Sequence, residues 1–272
     1  PECSETARSE EGIFWETVRV IIVSSHDAFD RLFTVARNDT NVLGFFLSGS
    51  RGKGYEDVHS DYDVHMVVED AVAGEYKRKY AEDPPGIDLV VSSLSEFREY
   101  AEWMGEEHWD RYDFTHVRAL VDRTGEIQRL IDAKGGIPAE YRDAFIRKQL
   151  GGYVNALYRS VKAFRRSRGT IGFRLEAAMG IPYLLDALFA LHGRAAPFAD
   201  HLERELQHRP LERFPWSADR LTKAILRILT DGDVEAQQDL ARAVEVVFRG
   251  EGFGDVLDGW EEKWGWMVSA VV

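Results

Sequence analysis

The sequence predicts an α+β fold followed by a helical bundle. Three observations carry this. Up to about residue 135, short apolar runs of strand length alternate with helical patterns. Beyond Pro138 the apolar spacing is helical throughout. Between them, Lys134–Gly135–Gly136–Ile137–Pro138 interrupts any regular element, which places domains at 1–136 and 137–272. Strands and helices first and helices alone afterwards suit an α+β domain joined to a bundle.

The elements follow in order. Residues 12–37 place apolar side chains three and four apart, among them Ile13, Val18, Ile22, Phe29, Leu32 and Phe33, as one buried helix face requires. VLGFFL, residues 42–47, is a short buried strand, and SGSRGKGYEDVHS, residues 48–60, is a glycine-rich turn and loop. DYDVHMVV, residues 61–68, alternates, with Val64, Met66 and Val68 opposite Asp63, His65 and Val67. A helix near 75–83, a strand at 87–91, a helix over 93–109, a strand at 115–121 and a helix at 126–134 complete the first half. The second half holds helices near 139–167, 171–192, 197–208, 217–230, 233–249 and 253–269. Thr170, Ser217 and Asp233 are expected N-caps, Gly151–Gly152 an expected bend, and Pro182 an expected kink or early end.

Composition narrows the function. The chain has 272 residues, 44% hydrophobic and 30% charged, enough for a substantial core and incompatible with a wholly disordered chain. The net charge of −13 opposes nonspecific binding to long nucleic acid or anionic lipid. One cysteine, Cys3, permits neither an internal disulfide nor a cysteine-rich metal site. No apolar run reaches a membrane-spanning length, and PECSETARSEEG lacks a basic-then-apolar leader pattern, so no membrane partner and a cytoplasmic protein are expected. The charge is uneven. Residues 141–168 carry net +7, against −14 before and −6 after them. This segment is either a solvated basic helix or one wall of an anion pocket. Tyr158, Lys162 and Arg166 recur four apart on one of its faces.

The chemistry concentrates in LSGSRGKGYEDVHSDYDVHMVV. Asp61 and Asp63 lie two apart at the start of a strand, so their carboxylates share a face. Adjacent carboxylates oppose each other's ionisation unless a cation joins them, and Mg²⁺ commonly takes one or two protein carboxylates plus substrate phosphates. Gly49 permits a tight turn, and the Ser50 hydroxyl with nearby backbone N–H groups can meet phosphate oxygens. Arg51 and Lys53 supply cations in the same loop. The order is not Gly-x-x-x-x-Gly-Lys-[Ser/Thr], nor Gly-x-Gly-x-x-Gly, nor a calcium-binding helix–loop–helix pattern. His59 and His65 flank the acidic pair, but zinc is not expected without a cysteine nearby.

Gly49–Ser50, a gap of ten, then Asp61–Tyr62–Asp63–Val64 resembles the DNA polymerase β-like nucleotidyltransferase superfamily. The matching stretch covers about 20 residues, and the organisation with a helical second half is similar to aminoglycoside and lincosamide nucleotidyltransferases. The resemblance implies a polymerase β-like domain with a mixed sheet and a C-terminal helical bundle. It also implies transfer of a nucleoside monophosphate from an NTP, ATP being the expected donor, to a hydroxyl of a small molecule, an antibiotic among the candidates, with release of pyrophosphate. One or two Mg²⁺ ions would be held by Asp61 and Asp63, joined by Asp88 in GIDLVV as ligand, general base or both. Read alone, Asp88 also suits an acid satisfying backbone donors near a strand end. Glu106, Glu107, Asp110 and Asp113 are rival bases. Lys162 is assigned to the nucleotide, and Glu176 and Asp186 to the acceptor, on a helix whose apolar face comprises Leu175, Met179, Leu184, Leu185, Leu188 and Leu191. Trp260, Trp264 and Trp266 are expected to pack on the bundle or in a homodimer. Two other readings stand beside this one: a nucleotidyltransferase acting on RNA or protein, and a nonenzymatic nucleotide-binding or antitoxin-like protein.

Overall fold

The computed structural model describes residues 25–84, 86–103, 105–166 and 171–269. The chain divides between Gly135 and Gly136. Among the described residues no helix is long and apolar enough to cross a membrane.

The first unit is α+β. Helix α1, residues 25–38, buries Ala28, Leu32 and Ala36, a four-residue repeat that makes one face. The remainder of the expected 12–37 helix lies outside the described residues. Four strands follow: β1 (Val42–Leu47), β2 (Tyr62–Val68), β3 (Ile87–Ser93) and β4 (Ala119–Asp122). They form one mixed sheet in the order β3-β2-β1-β4. β2 runs antiparallel to β1 and parallel to β3, and β4 runs antiparallel to β1.

Both faces of the sheet are covered. Tyr62, Val64, Met66 and Val68 pack with α1 and with α3 (Ala73–Lys79). On the opposite face, Phe46 and Val67 pack with Phe97 of α4 (Leu94–Glu99), with Phe114, and with Ile127 and Ile131 of α5 (Ile127–Lys134). This second core begins at the strand ends where Asp63 and Asp88 stand in register. α2 (Gly49–Lys53) is a short helix where the sequence suggested only turn and loop.

Three expected elements overran, each at a non-glycine residue of positive φ. The 93–109 helix starts with a capping box between Ser93 and Glu96 but ends at Glu99, just before Ala101 (φ 52°). Carbonyls at that end are met by buried cations: Lys134 donates to Arg98 and Tyr100, and Arg111 to Ala101. The 115–121 strand begins only at Ala119, after His116 (φ 67°). The 253–269 helix splits at Glu261 (φ 49°) into α11 (Gly254–Asp258) and α12 (Glu262–Val268). These conformations are costly for residues with a Cβ and interrupt both helix and strand.

The second unit is helical, built from α6 (Ala139–Arg166), α7 (Ile171–Leu191), α8 (Leu202–His208), α9 (Ala218–Asp231), α10 (Val234–Gly250), α11 and α12. α6 runs unbroken through Gly151–Gly152, and α7 through Pro182, so neither ends its helix. Gly152 is needed for packing, because a Cβ there would lie 2.7 Å from the Tyr183 ring. Ser217 and Asp233 cap α9 and α10, while Thr170 lies outside the described residues. The apolar face of α7 is narrower than expected. Leu184, Leu188 and Leu191 are buried, but Leu175 and Met179 are more than half exposed. Trp264 is buried in the bundle core, and Trp260 and Trp266 pack against it.

Candidate functional site

The site forms where β1 leaves the sheet. Leu47 pairs with Val64, and one residue later the Ser48 N–H donates to the Asp63 carbonyl at 2.9 Å. Ser48 is buried, its hydroxyl 3.1 Å from His65 Nε2. His65 in turn stacks on Phe46 with ring centroids 4.6 Å apart. Burial, then the charge of Lys53, lowers the His65 pKa to about 4, so the ring is neutral and belongs to the core.

The chain then turns through Gly49 into α2. Gly49 has φ +55°, and a Cβ there would lie 1.7 Å from Asp63 Oδ2. Both the backbone conformation and the carboxylate therefore require glycine. Gly52 is constrained as well: its Cβ would meet the Leu47 carbonyl oxygen at 2.3 Å. Ser50 is partly buried, and its hydroxyl bonds nothing among the described residues.

Asp61 and Asp63 flank Tyr62 at the start of β2. Asp88 is the direct parallel-register partner of Asp63. Neighbouring strands are about 4.8 Å apart, and in-register residues point to the same face. The three acids thus line one end of one sheet face, and Asp61 and Asp88 have neither an ion pair nor a side-chain hydrogen bond among the described residues. Asp63 is pushed above the ordinary carboxylate range, first by burial and then by the charges of Asp61 and Asp88, with Lys53 opposing.

Asp113 joins the same field. It directly precedes Phe114, which packs on this face of the sheet. Its carboxyl is raised to about 6, chiefly by burial, with Asp110, Asp63 and Asp88 adding to the rise and Lys53 opposing it. Among the rival acids, Asp113 is thus tied to the Asp63–Asp88 pair. Its position in the sequence, in a short 3₁₀ stretch, carried no periodic signal that would have singled it out. Asp110 is buried and accepts from the Tyr100 hydroxyl.

The two loop cations serve the protein itself. Arg51 Nε donates to the Asp61 carbonyl and Nη2 to the Ser60 carbonyl, each at 2.8 Å, and the guanidinium lies 4.0 Å from the Tyr62 ring centroid. It straps the approach to β2 onto α2 and so fixes where Asp61 stands. Lys53 is buried, donating to the carbonyls of Gly49 at 3.3 Å and Asp113 at 3.0 Å. Its charge offsets Asp63 and Asp113 from within. Neither geometry resembles an exposed phosphate hook.

The fit to a cation is electrostatic. Partly desolvated Asp63 stands beside exposed Asp61 and Asp88, with Lys53 as a buried counter-charge, an arrangement a divalent ion relieves. Among the described residues, no group of three or more His, Cys, Asp or Glu is gathered tightly enough to hold a metal by itself. Coordination would therefore need small side-chain rotations or oxygens from a bound phosphate.

In the helical unit, Glu176 is bound to Arg159 at 2.7 Å and is mostly buried. Asp186 is half-buried and also engaged. Lys162 lines a cleft between α6 and α12. No protein-family model matches the chain, and no curated protein matches it.

Proposed function

We propose that the chain is a Mg²⁺-dependent nucleotidyltransferase that moves a nucleoside monophosphate from an NTP, ATP first among them, to a hydroxyl of a small molecule. The supporting observation is the junction of Gly49 with Asp63, which in turn is in register with Asp88. A turn without a side chain lies against a carboxylate cluster that lacks enough internal positive charge. On this reading the first unit is a polymerase β-like domain and the helical unit carries the acceptor.

Asp61, Asp63 and Asp88 would hold the ion. Bound Mg²⁺ supplies charge neutralisation at the phosphates and a lowered pKa for a coordinated hydroxyl. Asp63 is held by the Ser48 N–H to its carbonyl and by the space Gly49 leaves. Asp61 is held by the Arg51 strap. The open Ser50 hydroxyl is available to a phosphate oxygen. In the transfer, the acceptor oxygen forms a bond to the α-phosphorus and the bond to the β-phosphate oxygen breaks. Pyrophosphate leaves, and the hydroxyl proton passes to a carboxylate. Asp88, in register with Asp63, and Asp113, which shares its electrostatic field, are the proposed proton acceptors. Asp113, with a pKa near 6, suits that task at neutral pH. The Arg159 ion pair makes Glu176 a weak anchor for a cationic acceptor.

The test is an acceptor screen with Mg²⁺ and each NTP, detecting pyrophosphate and weighing the product. Wild-type protein should release pyrophosphate in step with an acceptor gaining one nucleoside monophosphate. Asp63→Asn should fold normally and lose about 100-fold or more in turnover. Full activity in Asp63→Asn at saturating Mg²⁺ would refute the assignment.

A further inference from the structure

The basic segment singled out in the sequence ends at an open cleft whose lining lies wholly within the helical unit. Its walls are the last turns of α6 and the short α12, both within the helical unit. Tyr158, Lys162, Arg165 and Arg166 enter from α6, and Glu262, Lys263 and Trp266 from α12. The space is about 500 Å³, within the usual range for one small ligand.

Four cations face one acid there. Lys162, Arg166 and Lys263 form no ion pair among the described residues. Arg165 donates to the Trp266 carbonyl at 3.1 Å, and its guanidinium carbon lies 4.3 Å from that ring's centroid. Helix polarity accounts for Arg165 and Arg166, since cations are favoured at a helix C-terminus. It does not account for Lys263. That residue sits in the first turn of α12, where a cation is disfavoured, yet its ammonium lies 5.8 Å from the Tyr158 ring. Lys162 reaches the same ring from the α6 side, at 5.3 Å. Two elements therefore bring unpaired cations to one aromatic wall, in a protein whose net charge is −13.

Tyr158 and Trp266 both line the cleft, their rings tilted by 53°, and Trp260 lies beside Tyr158 outside the lining. The Tyr158 ring lies 5.4 Å from Trp260 and 5.9 Å from Trp266. Aromatic faces take a flat ring by stacking, and nearby Lys and Arg take phosphate oxygens through charge-assisted hydrogen bonds. We propose that the α6–α12 cleft is a binding site for a multiply phosphorylated aromatic small molecule, a nucleoside triphosphate being its simplest form. The acidic remainder of the chain and the one-ligand size of the cleft oppose a long nucleic acid. This assigns Lys162 to a site lined by residues of the helical unit.

The experiment uses the full chain carrying Asp63→Asn, in EDTA, so that neither turnover nor metal-assisted binding at the carboxylates contributes. Calorimetry with ATP, adenosine, tripolyphosphate and a 20-nucleotide single strand is compared between this protein and the same protein with Lys162→Glu and Lys263→Glu added. ATP should bind more tightly than adenosine or tripolyphosphate, and the charge reversals should weaken it at least tenfold. Lys223→Glu, on α9 and outside this cleft, should leave the affinity within twofold. Circular dichroism melts confirm that each variant is folded. No ATP binding in EDTA, equal affinity after both reversals, or tighter binding of the strand than of ATP would each overturn the proposal. Because Asp63 is already neutralised, none of these outcomes bears on the transferase reading.

Discussion

Gly49→Ala tests the junction of turn and carboxylate without any assumption about activity. Two penalties add in the wild-type background. Placing a Cβ at φ +55° costs about 1–2 kcal/mol. The new Cβ also falls 1.7 Å from Asp63 Oδ2, whereas real Cβ atoms essentially never come within 3.0 Å of a neighbour. The carboxylate must therefore retreat by roughly 1.3 Å against its packing, an overpacking cost of about 1–3 kcal/mol. The expected total is about 2–5 kcal/mol. In an Asp63→Ala background the oxygen is gone, and only the side-chain Cβ remains, at 3.3 Å. There Gly49→Ala should cost little more than its backbone penalty. Urea unfolding of the four proteins at pH 7 without metal closes the double-mutant cycle, and the coupling should be about 1–3 kcal/mol. Asp63→Ala changes burial and charge by itself, and the cycle cancels both. A coupling within about 0.5 kcal/mol of zero would refute the claim that Gly49 exists to make room for Asp63.

Two further outcomes follow from the fold. The Asp113 carboxyl has a folded pKa of about 6 against an ordinary 3.8, so its charged form opposes folding. The contribution is most favourable below pH 4 and is lost as pH rises through 6, at up to about 3 kcal/mol, less a share for residual exposure. Asp113→Asn should therefore gain stability relative to wild type between pH 4.5 and pH 7.5; a pH-independent difference in urea midpoints would contradict the burial of that acid. Asp233 caps α10 by accepting from the Ala236 N–H at 2.9 Å, and also pairs with Arg227 at 2.7 Å. Asp233→Ala should cost about 1 kcal/mol, while Asp233→Asn, an equally good cap, should lose only a few tenths. Equal losses in thermal melts would assign the stabilisation to the ion pair instead.

The mixture of strands and helices up to residue 135, and of helices beyond it, was legible because period 2 and period 3.6 leave separable marks. The register of Asp63 with Asp88 was not. It depends on β3 running parallel to β2, a tertiary fact with no local signature. The premature ends at Ala101, His116 and Glu261 were equally hidden. Left-handed residues are usually flagged by glycine, and none of these is glycine. Helix α7 misled in the other direction. Its Leu and Met spacing suits a broad apolar face, but exposure of Leu175 and Met179 depends on what lies opposite, not on spacing. In the candidate site, Asp61, Asp63 and Gly49 stood out as a short pattern. Arg51 and Lys53 stood out for their charge, and only the fold shows that charge directed at backbone carbonyls. Asp113 required the fold because nothing local links it to residues 50 positions earlier.

The Arg51 strap has a consequence for how this surface can be rebuilt. The loop it closes is fastened at both ends: the Tyr55 N–H donates to the Ser50 carbonyl at 2.8 Å, and Arg51 holds the carbonyls of Ser60 and Asp61. Between those anchors, Glu56, Asp57, Val58 and His59 are exposed; the Asp57 N–H donates to Ser60 Oγ and the His59 N–H to Asp57 Oδ1, each at 2.9 Å. Closure entropy grows only by about 0.6 kcal/mol for each doubling of length. Lengthening the exposed stretch at Val58–His59 should therefore cost little in closure entropy, because the position of the strand that follows is set by the Arg51 strap.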